Sequence, residues 1–411
     1  MVKNLQYYKF CGYGFFKNLR LFEPFLILFL LSNGLSYLQI GVLYSVREIT
    51  RNVLEIPAGI TADSLGRRRT MITSFSFYII SFLVYYLGSA YWQFLGAMVL
   101  YALGDAFRTG THKAMIFDYL RQKGWADQKA YYYGHTRSFS QLGSAISSLL
   151  GGFMVFYTGN YRDIFIYTSI PYLLDLILVS SYPKSLDGMR SSFSRQRVFE
   201  NFKTVFNGFI SSFKKARTLR LVGNMSVHTG FFQAIKDYLQ PVLQTLALTV
   251  PIMLVYEEQQ RTAVIVGSVY FMIYLLTSLA SRKSGLFSSW FSSLNRPLNI
   301  TLLAGLAAGV ICGAFYSGGL VLPAVIAFIL VFLVENLRKP IGVANLAGIS
   351  GQDYLATTLS AESQLHSLLT ALLAPAIGFL ADLAGLGMAI LGVSGFLLLL
   401  SPLISLGKRS S

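Results

Sequence analysis

The sequence predicts an all-helical, polytopic membrane protein of twelve transmembrane helices in two six-helix bundles. Three observations carry that prediction. The chain of 411 residues is 54% hydrophobic and only 13% charged, against about 25% charged in a soluble domain. Its apolar residues gather in blocks of roughly 20, the length that crosses a hydrocarbon layer about 30 Å thick. The blocks lack the alternating pattern of a barrel strand, and only helices and closed barrels satisfy their backbone in lipid. Soluble enzymes, secreted disulfide scaffolds and disordered chains are excluded by composition alone.

The spans fall near 15–33, 36–62, 70–89, 91–119, 134–158, 161–182, 218–246, 262–281, 298–316, 319–346, 357–383 and 386–407. Turns such as Asn33-Gly34 and Ser317-Gly318-Gly319 punctuate them. The longest connection, 183–217, divides them six and six, giving an N-terminal bundle over 1–182 and a C-terminal bundle over 218–411. Within it Val198, Phe202, Val205, Phe206, Phe209 and Phe213 recur at spacings of three and four. Arg195, Arg197, Lys203, Lys214, Lys215 and Arg217 surround that stripe. An amphipathic helix of this kind lies in the headgroup plane, so 195–217 is expected to rest on anionic lipid.

Lys and Arg number 34 against 18 Asp and Glu, a net charge of +16. In a soluble chain that excess would suggest nucleic acid. Here the cations crowd one set of connections: Arg67-Arg68-Arg69, then Arg121, Lys123 and Lys129, then Arg282, Lys283 and Arg296, then Lys408-Arg409. The opposite set holds Arg162 and Arg261. The positive-inside rule therefore puts both termini in the cytoplasm of a plasma-membrane protein, with no nucleic-acid partner. Cys11 and Cys312 offer no disulfide framework and no metal spacing. The segment Met1–Arg20 carries Lys3, Lys9, Lys17 and Arg20 and lacks the pattern of a cleavable signal.

The connection after the second span is Gly59-Ile-Thr-Ala-Asp63-Ser-Leu-Gly66-Arg67-Arg68-Arg69. It resembles, in spacing and in place, the Gly-x-x-x-Asp-Arg-x-Gly-Arg-Arg/Lys loop of the major facilitator superfamily. The preceding Glu55-Ile-Pro57-Ala-Gly59, and Gly104–Asp118 in the fourth span, are similar to drug-efflux-like members. The resemblance implies an alternating-access transporter with the two bundles set out above. Ser64 stands where the family has Arg, and Leu355-Ala-Thr357-Thr-Leu359-Ser360 lacks the Arg of the related efflux pattern. Gly378-Phe-Leu-Ala-Asp382-Leu-Ala-Gly385 has the spacing of a second copy without its cations, and is expected to be a helix end. In physical terms Gly59 permits close helix approach and Gly66 a turn. Asp63 can cap a helix or pair, and Arg67 and Arg68 can pair with Asp63 and Asp118. Gly59, Asp63, Gly66, Arg67, Arg68 and Asp118 are thus the expected gating loop, a cluster that locks one bundle arrangement and releases it in another.

Ionisable residues inside the bilayer cost at least about 2.5 kcal/mol and tend to face a bundle interior or water-filled cavity. The second span carries Arg47, Glu48, Arg51 and Glu55, and the fourth Asp105, Arg108 and His112. The seventh offers Gln233, Lys236 and Asp237, and the tenth Glu335. These form the expected substrate and proton pathway, with Glu48 and Asp105 as proton carriers and Arg47, Arg51 and Arg108 as a cationic lining for an anionic group. Walker, His-Glu-x-x-His and Gly-x-Ser-x-Gly patterns are absent, so no enzyme chemistry, cofactor or metal is expected. The expectation is a monomeric secondary transporter exporting a small organic compound against protons. The alternatives are uptake of an organic anion by symport, or a non-transporting sensor or lipid-handling protein of the same fold.

Overall fold

In the computed structural model residues 2–187, 216–251 and 253–407 are described. The amphipathic stripe expected over 198–213 lies outside them. Fourteen α-helices and no strand occur among the described residues. They are α1 (Leu5–Phe16), α2 (Leu26–Ser32), α3 (Tyr37–Leu65), α4 (Arg67–Leu87), α5 (Tyr91–Arg108), α6 (Thr111–Gln122) and α7 (Lys129–Thr158), followed by α8 (Ile164–Ser180). After the connection come α9 (Ala216–Ile235), α10 (Leu239–Thr249), α11 (Glu258–Ser289), α12 (Asn295–Ser317), α13 (Val321–Ala384) and α14 (Leu386–Leu400).

Among the described residues, seven stretches are long and apolar enough to cross a membrane: Arg67–Leu87, Tyr131–Thr158, Glu258–Ser289, Asn295–Ser317, Val321–Ile349, Thr357–Ala384 and Leu386–Ile404. Glu23–Ser32 and Ile164–Ser180 are apolar but shorter. Several expected spans differ in detail. The first is split, because α1 stops at Phe16 and a short 3-10 turn, Glu23–Phe25, precedes α2. The fourth is split between α5 and α6 at Thr109-Gly110, where Gly110 has φ +76°, a left-handed conformation that glycine adopts without steric cost. The seventh is interrupted by the 3-10 turn Lys236–Tyr238. The tenth and eleventh, by contrast, lie on the one helix α13, whose backbone stays helical through the connection between them.

The chain forms two compact units, one of Met1–Phe29, Ile49–Asn201 and Leu254–Phe271, the other of Leu30–Glu48, Phe202–Met253 and Met272–Ser411. In the first, aromatic rings fill the space between helices. Phe165 of α8 meets Phe29 at 4.7 Å and stacks on Tyr85 of α4 at 4.8 Å. Ser74 and Ser81 of α4 donate to the carbonyls of Gly104 and Ala97 on α5, at 2.6 and 2.7 Å. Such hydroxyl bonds join helices where lipid supplies no hydrophobic drive.

In the second unit, Leu221, Val222 and Met225 of α9 pack with Leu298 of α12 and Ile341 and Leu346 of α13. The Asp382 carboxylate near the end of α13 accepts from the backbone N–H groups of Tyr37 and Leu38, both at 2.9 Å. The stretch 378–385 is a helix end, as its sequence suggests, and also caps the start of α3.

Candidate functional site

The break between α5 and α6 organises the site. Its geometry leaves the first N–H groups of α6 without a side-chain cap, beside a cavity of about 260 Å³ that Gly110, His112 and Lys113 help to line. An uncapped helix start presents unsatisfied donors and partial positive charge to whatever faces it. Four full cations share the wall: Lys17 after α1, Arg108 at the end of α5, Lys113 on α6 and Arg137 on α7. Lys113 and Arg137 are exposed, whereas Lys17 and Arg108 are partly buried. Phe10, Tyr13 and Tyr133 give the cavity aromatic sides, and among the described residues its wall contains no carboxylate.

Arg108 is held in place from behind. Its Nη2 lies 3.2 Å from Asp105 Oδ1 and its Nε donates to the Tyr78 hydroxyl at 3.0 Å. That hydroxyl donates in turn to Asp105 Oδ1 at 2.5 Å. The triangle fixes the guanidinium without using all five of its donors. Tyr13 stacks flat on the His112 ring at 3.6 Å, and His112 Nε2 lies 3.1 Å from the Tyr182 hydroxyl. The Tyr13 hydroxyl is buried near Arg108 and makes a hydrogen bond of acceptable geometry with no group among the described residues. A buried polar group left unpaired is costly, and at a cavity wall it marks a place for a ligand atom.

The residues expected from sequence separate into groups. Asp105, Arg108 and His112 belong to this site. Arg51 and Glu55 stand on the part of α3 in the first unit, and Arg47 and Glu48 on its part in the second; none lines the cavity. Lys236 binds its neighbour Asp237 at 2.8 and 3.1 Å in the 3-10 turn, with Gln233 one turn earlier on α9. Glu335 lies in a buried network in the second unit. Its carboxylate takes His228 Nδ1 at 2.8 Å and the Thr229 hydroxyl at 2.9 Å, while Arg338 donates to Asn224 Oδ1 at 2.6 Å.

The loop after α3 makes part of the expected cluster. Arg67 pairs with Asp118, and Arg121 joins the same carboxylate at 2.7 Å. Arg68 instead donates through Nη1 to the carbonyls of Ser180 and Tyr182, both at 3.2 Å. Its backbone N–H goes to Asp187 Oδ1 at 3.0 Å. Asp187, which sequence reasoning missed, lies against Gly66, whose φ of +99° makes the turn. Two expectations are corrected. Asp63 is exposed in the last turn of α3 and makes no hydrogen bond or ion pair among the described residues, because the helix runs past it to Leu65. Gly59 has open space where a Cβ would stand, so it mediates no close helix approach.

Lys17, Tyr13, Lys113, Arg137 and Asp175 were also missed. Asp175, at 0% exposure on α8, carried a usable signal as a carboxyl inside an apolar span.

The model of the major facilitator superfamily matches residues 11–364. The chain is 27% identical over 235 residues to the uncharacterized MFS-type transporter YxaM of Bacillus subtilis (strain 168), a match covering 56% of each protein. Among solved structures, a mutant of the nucleoside transporter NupG superposes with a TM-score of 0.77 at 11% identity, over 97% of this chain and 98% of that one. A POT family transporter in complex with 5-aminolevulinic acid gives 0.71 at 14% identity, over 97% and 96%.

Proposed function

This chain belongs to the major facilitator superfamily, and from that premise we propose that its cargo is a small organic anion moved together with protons. It is a multi-pass membrane protein and a secondary transporter, not an enzyme. The observation that carries the cargo is the cavity whose wall holds Lys17, Arg108, Lys113 and Arg137 and, among the described residues, no carboxylate. A neutral or cationic compound would leave the partly buried Lys17, which makes no ion pair among the described residues, without a counter-charge. A carboxylate or sulfonate instead offers it and Arg108 charge-assisted hydrogen bonds. The aromatic sides suit a flat organic body. The cavity thus supports the symport alternative over export of an uncharged compound.

The remaining assignments follow the sequence. The twelve spans form bundles over 1–182 and 218–411 in the plasma membrane, with both termini cytoplasmic and 195–217 on anionic lipid. The working form is a monomer. The loop carrying Gly66, Arg67 and Arg68, with Asp118, acts as the gate. Transport in proteoliposomes tests the cargo directly. A radiolabelled aromatic carboxylate should accumulate when an inward proton gradient is imposed, in right-side-out and not in inverted vesicles. Accumulation of neutral or cationic drugs with indifference to carboxylates would overturn the proposal.

A further inference from the structure

Behind the cationic cavity lies a carboxyl group with nothing to bind. Asp175 belongs to a stripe of α8, Thr168, Tyr172, Asp175 and Val179, each at 0% exposure. Two tyrosines fix the level of that stripe against α1. Tyr172 donates its hydroxyl to the Lys17 carbonyl at 3.2 Å, and Tyr182, just past α8, to the Lys9 carbonyl at 3.4 Å. The helices are therefore antiparallel, and Asp175 faces the stretch from Tyr13 to Lys17. Both of its carboxyl oxygens lack a hydrogen-bond partner among the described residues. The cations whose charge acts on it are Lys17 and Arg108. Arg108 is already committed to Asp105, and Lys17, which lines the cavity, forms no ion pair among the described residues.

We propose that Asp175 binds the proton that travels with the anion, and that Lys17 links the two events. This rests on the anion reading above. An ionised carboxyl buried without partners is far more costly than a neutral one. With an anion on Lys17 and Arg108, the lysine charge is compensated and Asp175 keeps its proton. When the anion leaves, the O–H bond of Asp175 breaks, the proton passes to cavity water, and the new carboxylate is neutralised by the freed Lys17 ammonium. Anion and proton thus favour each other's binding, and neither is carried well alone. The reciprocity of coupled sites makes this measurable as a pH-dependent affinity.

Besides Lys17 and Arg108, Tyr13 of α1 and Tyr182 after α8 act on Asp175. One contact further out lie Tyr78 of α4 against Tyr172, Asp105 of α5 on Tyr78, and His112 of α6 between Tyr13 and Tyr182. Of these, His112 is the group whose ordinary titration lies near neutral pH, so it is the rival source of any pH effect.

The test uses purified full-length protein in detergent and the probes benzoate and sulfate, both ionised over about pH 5.5 to 8.5. Wild-type affinity should rise as pH falls, by up to about tenfold per unit for one linked proton. Asp175→Asn should bind at every pH as tightly as wild type does in acid, with the slope gone. Asp175→Glu should restore a slope, and His112→Gln should keep it. A slope that survives in Asp175→Asn and vanishes in His112→Gln would overturn the assignment. So would a wild-type affinity independent of pH, which would leave the anion cargo standing. Failure of wild type to bind either probe at any pH would remove the cargo reading, and this inference with it.

Discussion

Each unit buries a carboxylate and an arginine close together in sequence, and the two surroundings differ in what is left over. In the first, Asp105, Arg108 and Tyr78 satisfy one another, yet Arg108 still lines a cavity of about 260 Å³ beside three further cations. In the second, Glu335 is taken by His228 and Thr229, and Arg338 by Asn224. His228 Nε2 and Arg338 Nη1 are buried without a hydrogen-bond partner among the described residues; the first points where a Cβ on Gly305 would be 2.0 Å away, so there is no room for a ligand atom there. A cavity of the second unit, about 70 Å³, has no charged side chain in its wall among the described residues. Buried charge paired within the core supports packing, whereas buried charge that also lines a cavity can bind.

The largest effect should come from opening the buried network. Glu335→Ala strands His228 and Arg338 in the interior. Removing one partner of a buried pair costs about 3–5 kcal/mol, so a large fall in melting temperature is expected with benzoate affinity retained in the folded fraction. Loss of affinity at unchanged stability would erase the contrast between the units. Gly305→Ala probes the same network through volume: the new methyl must displace the His228 ring, and overpacking costs about 1–3 kcal/mol. A variant as stable as wild type would mean that the ring has space after all.

The loop supplies a smaller and sharper contrast. Asp118 joins Arg67 and Arg121, while Asp63 is exposed and unpaired among the described residues. Asp118→Asn should therefore slow flux several-fold with affinity unchanged, and Asp63→Asn should stay within assay scatter. The reverse order, read from initial rates in proteoliposomes, would show that Asp63 finds its partner in another state of the cycle.

Local spacing made some of this legible in the sequence. Asp105 and Arg108 are three apart on one helix and do pair, and Arg67 does reach Asp118. The apolar blocks fall on helices, although the first, fourth and seventh are interrupted and the tenth and eleventh share one helix. What spacing could not supply was which helices meet. The cavity takes its wall from α1, α5, α6 and α7, so Lys17 and Arg137 gain their meaning only from packing. The Thr109-Gly110 break lies in a polar stretch, 104–113, between the apolar start of the fourth block and its end near Asp118. Asp175 lay in plain view within the apolar block of α8, but with no opposite charge at helical spacing it did not stand out as part of a cluster.

The most direct measurement compares benzoate affinity and melting temperature for wild type, Arg108→Ala and Glu335→Gln. Charge-assisted hydrogen bonds are worth about 1.5–3 kcal/mol each. Arg108→Ala should thus lose about tenfold to a hundredfold in affinity, and adding Asp105→Asn should recover stability without recovering binding. Glu335→Gln should lower the melting temperature and leave affinity alone. Binding that survives Arg108→Ala and fails in Glu335→Gln would put the anion in the second unit, and contradict the assignment of the cationic cavity as the cargo site.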